Sequence, residues 1–106
     1  MTRLTTHVLD GSAGIPASGV EVTLLDGAGV VVAVGRTDAE GRLALGADDL
    51  PAGTYALVFA TGAYFAARDT ETFYPSVTVT FTATDRPHHH VPLLLSPFAY
   101  STYRGT

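Results

Sequence analysis

Three of the four histidines in the sequence stand together at positions 88–90, where they begin the stretch HHHVPLLLSPFAYSTYRGT. If this stretch starts as a β-strand, successive side chains point to opposite faces of the sheet. His90 then shares a face with His88, Pro92 and Leu94, whereas the opposite face carries the more apolar set. We therefore expect His90 to point away from the core.

Two more residues of suitable chemistry have the same placement. His7 lies in the alternating stretch RLTTHVLD, on the face opposite Leu4 and Val8, and Arg42 follows the turn RTDAEG on the face opposite Leu43. Two imidazoles and one guanidinium thus stand on outward strand faces. They meet if their strands lie in one sheet or if subunits pack sheet to sheet.

This set suits the hydrolysis of an activated amide or lactam. Histidine titrates near neutral pH, so one neutral ring takes a proton from water while another polarises the substrate. An arginine stabilises the oxyanion and orients a planar, anionic ring through paired hydrogen bonds. Acid-base catalysis by positioned groups typically contributes about 10² to 10⁴-fold to the rate.

Simpler interpretations exist for the same residues. A strand histidine such as His7 is most often a solvated residue without a role, and Arg42 after a turn is then a solvated charge. His88 and His90 stand side by side on a strand as in some zinc sites. Asp85 is the only acidic residue nearby, so we expect no physiological metal.

Alternating stretches of about eight short strands must position these residues. The clearest is SVTVTFTAT at 76–84, and the nearly continuous valine and alanine run at 29–35 predicts a strand covered on both sides. One short helix is expected at Gly62–Arg68, where alanine is common and β-branched residues are missing. So little helix favours an all-β sandwich of two packed antiparallel sheets.

The bulk properties fit a single domain over residues 1–106 with one modest core. A net charge of −4 without a basic face argues against nucleic-acid and anionic-membrane partners. The absence of cysteine excludes disulfides and thiol chemistry. Apolar stretches are too short to span a membrane and no secretory leader is recognisable, so a cytoplasmic protein is expected.

Four stretches carry a resemblance to a known family: LTTHVLDGSAGIPA at 4–17, TDAEGR at 37–42, FYPSVTVTFT at 73–82, and the final stretch from position 88. Together they resemble the 5-hydroxyisourate hydrolases, the transthyretin-related group of purine catabolism. The resemblance implies a transthyretin-like sandwich of two four-stranded sheets with one short helix. It also implies a homotetramer, a dimer of dimers around a central channel.

The resemblance further implies roles for individual residues. His7, Arg42 and His90 match the family's catalytic residues. The substrate-binding set is the terminal Tyr103, Arg104, Gly105 and Thr106, with Ser101, which shares a face with Tyr103 and would point into the channel. Thr106 replaces the usual serine but keeps the hydroxyl, and His89 replaces a commoner tyrosine on the face away from the site.

The implied activity is hydrolysis of 5-hydroxyisourate to 2-oxo-4-hydroxy-4-carboxy-5-ureidoimidazoline in urate degradation. A histidine would activate the water, arginine would stabilise the developing charge, and no metal or organic cofactor would be needed. The alternative is a transthyretin-like module that binds a small molecule without turnover.

Overall fold

The computed structural model describes residues 2–106, apart from the side chains at positions 47 and 48. The described residues form nine strands and one helix. In chain order these are β1 (Thr2–Asp10), β2 (Ile15–Pro16), β3 (Glu21–Leu25), β4 (Val31–Arg36), β5 (Arg42–Leu50), β6 (Gly53–Phe59), α1 (Thr61–Ala66), β7 (Val77–Ala83), β8 (His88–Ser96) and β9 (Ala99–Thr102).

The first sheet is built around β1. On one side β1 pairs in parallel with β8, from Arg3 opposite His88 to Asp10 opposite Leu95, and β8 pairs with β9 in the antiparallel sense. On its other side β1 pairs with β5 and, near its end, with the short β2. β1 is therefore flanked along its length, and its outward side chains lie between those of β5 and β8.

The second sheet has the strand order β4-β3-β6-β7 and is antiparallel throughout. Its strands alternate buried and less buried residues, as in β3, where Val22 and Leu24 are fully buried. Alternate residues of both sheets interdigitate to form the core, as expected for a sandwich. The largest fully buried side chains are Phe59, Phe65, Leu4, Leu24, Leu57 and Leu93.

The predicted sandwich of two sheets with one short helix is confirmed. Two details were wrong. The sheets are not both four-stranded, because β2 and β5 share one edge of β1 and make the first sheet five-stranded. That sheet is also not wholly antiparallel, since β1 and β8 run parallel. Strands so distant in sequence are not joined by a hairpin, so no turn dictates an antiparallel pairing.

The valine run was also misinterpreted. It forms β4, an edge strand of the second sheet, and in the isolated chain Val31 is 57% exposed and Val34 is 58% exposed. A continuous apolar run indicates burial on both faces only where elements cover both faces. Here nothing within the described chain covers the outer face.

The helix α1 crosses from the second sheet toward the end of β1. It begins one residue before the predicted Gly62 and ends two residues before Arg68. Its Tyr64 and Phe65 are buried, and the Tyr64 hydroxyl donates a hydrogen bond to the buried carboxylate of Asp10 at 2.9 Å. This bond ties the helix to β1. The helix is too short to span a membrane, and no longer helix occurs in residues 2–106.

Candidate active site

Adjacent strands of the first sheet bring His7, Arg42 and His90 onto one face. His7 lies directly opposite Arg42 in the β1–β5 pair, and Thr5, two residues earlier on β1, lies opposite His90 in the β1–β8 pair. Neighbouring strands are about 4.8 Å apart, and residues two apart on a strand share a face. Strand pairing thus gathers three residues that are far apart in sequence.

A cavity of about 350 Å³ opens on this face. It is of the size that takes a small ligand. Its lining includes two arginines, Arg3 and Arg42, and one acidic residue, Asp38. The other polar residues of the lining are Thr5, Thr6, His88, His90 and Thr106. Because arginine side chains outnumber acidic side chains in this lining, the cavity suits a ligand that is polar and anionic.

The imidazole of His90 is half-buried at this cavity. Its Nδ1 lies 2.8 Å from Oγ1 of Thr5. Burial lowers the pKa of His90 below its ordinary value of 6.5, and the neighbouring His88, His7 and Arg42 add to the effect because a second positive charge is unfavourable there. The ring is therefore neutral at neutral pH, the form that can accept a proton.

The turn that precedes β5 holds the backbone of Arg42, the first residue of that strand, in place. The Asp38 carboxylate accepts hydrogen bonds from the backbone N–H groups of Arg42 and Glu40, both at 2.9 Å. The Arg42 bond, followed by the Glu40 bond, holds the pKa of Asp38 below its ordinary value of 3.8. Asp38 therefore stays ionised, and the positive charge of Arg42 also favours the ionised form.

His7 is held by the same turn. Its Nε2 lies 2.9 Å from the backbone oxygen of Glu40. A carbonyl oxygen only accepts hydrogen bonds, so Nε2 of His7 carries the proton and donates it. In the neutral ring Nδ1 is then the free acceptor. His7 is not part of the lining that the cavity has in the isolated chain.

The last residues of the chain pack against His90. The backbone N–H of Gly105 donates to the His90 carbonyl at 2.8 Å, which places Thr106 in the cavity lining. A Cβ atom at position 105 would collide with the Cδ2 edge of the His90 ring. The site therefore requires glycine there, because only glycine lets the backbone approach so closely.

The remaining terminal residues lie elsewhere in the isolated chain. Tyr103 and Arg104 line a second, more apolar cavity of about 310 Å³, and His90 borders both cavities. Ser101, on β9, pairs with Leu94 of β8. It lies further along the sheet, at a shallow depression beside Tyr100. The chain thus brings Arg42, His90 and Thr106 to one cavity, but not Ser101, Tyr103 or Arg104.

His89 points to the opposite face, as expected. It is buried, and its Nε2 accepts a hydrogen bond from the backbone N–H of Thr84 at 3.1 Å. Its Nδ1 therefore carries the proton and donates to Oγ1 of Thr2 at 2.7 Å. Among the described residues no group of three or more His, Cys, Asp or Glu side chains is arranged to hold a metal ion.

Sequence reasoning gave no role to Thr5. Its hydroxyl lies within hydrogen-bonding distance of both His88 and His90. Thr5 shares the face of His7 by strand period, which was visible in the sequence. The parallel register that places it opposite His90 was not.

Comparison with known proteins gives consistent matches. The HIUase/transthyretin family model matches residues 4–105. The chain is 44% identical to a 5-hydroxyisourate hydrolase of Mesorhizobium japonicum, over 98% of this chain and 92% of the relative. It is similar to the structure of Klebsiella pneumoniae 5-hydroxyisourate hydrolase, with a TM-score of 0.92 and 41% identity over 100% of this chain and 94% of the other. It is also similar to sea bream transthyretin in complex with thyroxine, with a TM-score of 0.89 and 32% identity over 97% of this chain and 94% of the other.

Proposed function

Because this chain belongs to the HIUase/transthyretin family, we propose that it is an enzyme that hydrolyses 5-hydroxyisourate in urate degradation. The observation that carries the proposal is the placement of His7, Arg42 and His90 on one face of adjacent strands β5, β1 and β8. The relatives named as 5-hydroxyisourate hydrolases support the same conclusion.

The reaction opens the six-membered ring at its amide by adding one water. The water oxygen attacks the ring carbonyl carbon, the C–N bond breaks, and the ring nitrogen takes a proton. The product is 2-oxo-4-hydroxy-4-carboxy-5-ureidoimidazoline. The chain must therefore supply a base for the water, a positive group for the oxyanion and an acid for the leaving nitrogen.

His90 is the better candidate for the base. A hydrogen bond that Nδ1 donates to Thr5 leaves Nε2 unprotonated for the water, and the depressed pKa keeps the ring neutral. His7 carries its proton on Nε2, toward Glu40, and would act as a polar partner beside the substrate. Arg42 would hold the negative charge that develops on the carbonyl oxygen.

The terminal residues would bind the substrate. Thr106 lines the same cavity as Arg42, and Gly105 holds it there through the backbone bond to His90. Tyr103, Arg104 and Ser101 would take part through the assembly, because in one chain they lie outside this cavity.

We propose a homotetramer, a dimer of dimers whose central channel is lined by the outward face of the first sheet. The edge strand β9 is exposed along its whole length, with Tyr100 43% exposed. An exposed edge with aromatic side chains is a surface that a second strand can cover. Size-exclusion chromatography with light scattering tests this, and a monomer at working concentration would contradict it.

The activity is tested by following the ultraviolet absorbance of 5-hydroxyisourate, generated in place by urate oxidase, with and without this protein. Faster decay that a chelator does not affect is expected. His7→Ala and His90→Ala proteins that remain folded and assembled should lose the acceleration. Wild-type turnover by either variant would remove the assignment of these histidines.

The alternative function is small-molecule binding without turnover. The similarity to sea bream transthyretin in complex with thyroxine favours it. A folded, assembled wild-type protein that leaves the decay unchanged yet binds an aromatic ligand would support this alternative.

We further propose that residues 1–106 form a single domain and that the protein is located in the cytoplasm.

A further inference from the structure

We propose that Thr5 and His88 form a proton relay behind His90, in which the Thr5 hydroxyl both orients His90 and passes a proton to His88. This proposal rests on the proposed function, because it concerns the base of the same site. Thr5 and His88 act through His90 and are therefore positioning residues.

The geometry of one hydroxyl carries the proposal. Oγ1 of Thr5 lies 2.7 Å from Nε2 of His88 and 2.8 Å from Nδ1 of His90. Both distances are within the range of good hydrogen bonds. The two rings stand on the same face of β8, with their centroids 6.1 Å apart. Thr5 is therefore a bridge between two imidazoles rather than a partner of one.

A hydroxyl has one proton and two lone pairs, so Thr5 can accept from both rings or donate to one of them. The relay requires that Thr5 donates to one ring and accepts from the N–H of the other. If His90 donates from Nδ1, Thr5 donates to Nε2 of His88, and Nε2 of His90 keeps its lone pair. If the sequence is reversed, Nε2 of His90 is protonated and cannot act as a base. The productive arrangement therefore has a direction, from His90 through Thr5 to His88.

In this arrangement the base does not accumulate charge. As Nε2 of His90 takes a proton from the attacking water, the Nδ1 proton moves to Oγ1 of Thr5, and the Thr5 proton moves to Nε2 of His88. Three bonds to hydrogen form, three break, and no electrons are transferred. When the leaving nitrogen takes the Nε2 proton of His90, the proton on His88 returns through Thr5 to Nδ1.

The surroundings favour this use of His88. The His88 side chain is exposed, so solvent stabilises its charged form better than that of the half-buried His90. The titratable and charged groups around the two rings come from every element that packs there: Arg3 and His7 of β1, Arg42 of β5, Asp38 of the preceding turn, and Arg104 near the end of the chain. Most of these are cationic, which makes a lasting charge on His90 unfavourable.

Removing the Thr5 hydroxyl tests the relay kinetically. Thr5→Val keeps the shape of the side chain but not the hydroxyl, and we expect kcat to fall about tenfold or more while KM changes less than about twofold. Thr5→Ser should restore most of kcat. Thr23→Val, a half-buried strand threonine of the second sheet, is the matched control and should leave both constants unchanged. Wild-type kcat in folded Thr5→Val would overturn the proposal.

The second partner is tested by His88→Gln, whose amide can accept the Thr5 hydrogen bond but cannot take a proton. We expect kcat to fall in the same way. Residues that act as one unit show non-additive losses. The double variant should therefore lose little beyond the worse single variant. If the loss of kcat in the double variant equals the product of the losses in Thr5→Val and His88→Gln, the two residues do not share a relay.

A measurement without substrate separates this proposal from the proposed function. Long-range ¹H–¹⁵N NMR of the labelled wild-type protein reports which ring nitrogen of each neutral histidine carries the proton. We expect Nδ1 of His90 and Nδ1 of His88 to be protonated, and Thr5→Val should remove that preference at His90. A proton on Nε2 of His90 in the wild type would overturn the relay even if the enzyme is active. If the wild type shows no activity, the proposed function fails, and this measurement alone decides the hydrogen-bond direction.

Discussion

Thr5 lies directly opposite His90 in the parallel pair of β1 and β8, and its hydroxyl oxygen is 2.8 Å from Nδ1 of that histidine. The candidate base is therefore held by the central strand of its sheet. Because His7 follows two residues later on the same strand, one strand sets the positions of the imidazoles of His7 and His90 relative to each other.

The depressed pKa of His90 should be visible in an NMR titration of its ring. Burial, helped by the nearby positive charges, holds this pKa below 6.5, and His88→Gln removes one of those charges, so the pKa should move toward 6.5 in the variant. An unmoved pKa would contradict the influence of His88 on His90. In the proposed mechanism the neutral form of His90 is the base, so activity should be lost once the pH has fallen through its folded pKa.

Gly105→Ala should disturb the site more than the fold. The new Cβ atom would collide with the His90 ring, so the terminal residues must move away and Thr106 must leave the cavity. We expect activity to fall about tenfold or more, as for other small misplacements of catalytic groups. Tm should change little.

The control for that change is Gly11→Ala, where the nearest atom to a new Cβ is the Leu95 carbonyl oxygen at 3.4 Å. It should retain the activity of the parent protein. Equal activity of the two variants would show that the close approach of Gly105 to His90 has no functional importance.

His89 should make the stability of the fold fall in mild acid. Burial, helped by the nearby positive charge of Arg86, lowers its pKa below 6.5 in the folded protein. Between the folded pKa and 6.5 the unfolded chain therefore binds more protons than the folded protein. The contribution of His89 to the free energy of unfolding is greatest above pH 6.5 and decreases as the pH falls through that window.

Urea unfolding of the wild type and of His89→Gln between about pH 8 and pH 5 measures this effect. The variant does not titrate at position 89 and should lose less stability over the range. His90 contributes in the same direction, so the variant should keep part of the slope. Identical slopes would contradict the role assigned to buried His89.

Asp10 should be the most sensitive polar residue of the fold. Its carboxylate is buried and accepts hydrogen bonds from the Ser12 hydroxyl at 2.6 Å, the Ala13 N–H at 3.1 Å and the Tyr64 hydroxyl at 2.9 Å. Asp10→Asn places an amide where only acceptors fit, and should lower the free energy of unfolding by about 1.5–3 kcal/mol at neutral pH. Urea denaturation measures the difference.

Acid should have the same effect on the wild type. Burial alone would raise the pKa of Asp10, but the hydrogen bonds from Ser12, Ala13 and Tyr64 hold it below 3.8. Its contribution to stability is present above 3.8 and is lost as the pH falls through the folded pKa. Tyr64→Phe, which removes one of the donors, should cost about 1 kcal/mol and serves as the comparison.

Strand periodicity predicted which way individual side chains point. His7, Arg42 and His90 were each placed on outward faces from alternation alone, and the structure has them there. The same reasoning placed His89 toward the core. These predictions succeeded because a period of two depends only on neighbouring residues.

Relations between strands could not be obtained in the same way. The parallel pairing of β1 with β8 depends on how the whole chain folds, so the contact between Thr5 and His90 was not foreseen. The edge strand β4 was predicted to be covered on both faces, but it is exposed. An apolar sequence shows the character of a strand but does not show which other elements pack against it. Ser101 shares a face with Tyr103 by period, but the chain leaves the strand before Tyr103, and the two residues border different cavities.

The pairing of β1 with β8 also limits the order in which the strands of the first sheet can pair during synthesis. Thr5 and His90 are 85 residues apart, so during synthesis β1 can pair with β5 long before β8 emerges from the ribosome. Closing so long a loop is entropically unfavourable, and folds rich in such distant contacts form slowly. The nascent chain therefore carries one open edge of its central strand through most of translation, and the face that holds His7, Arg42 and His90 can be completed only after β8 has been synthesised.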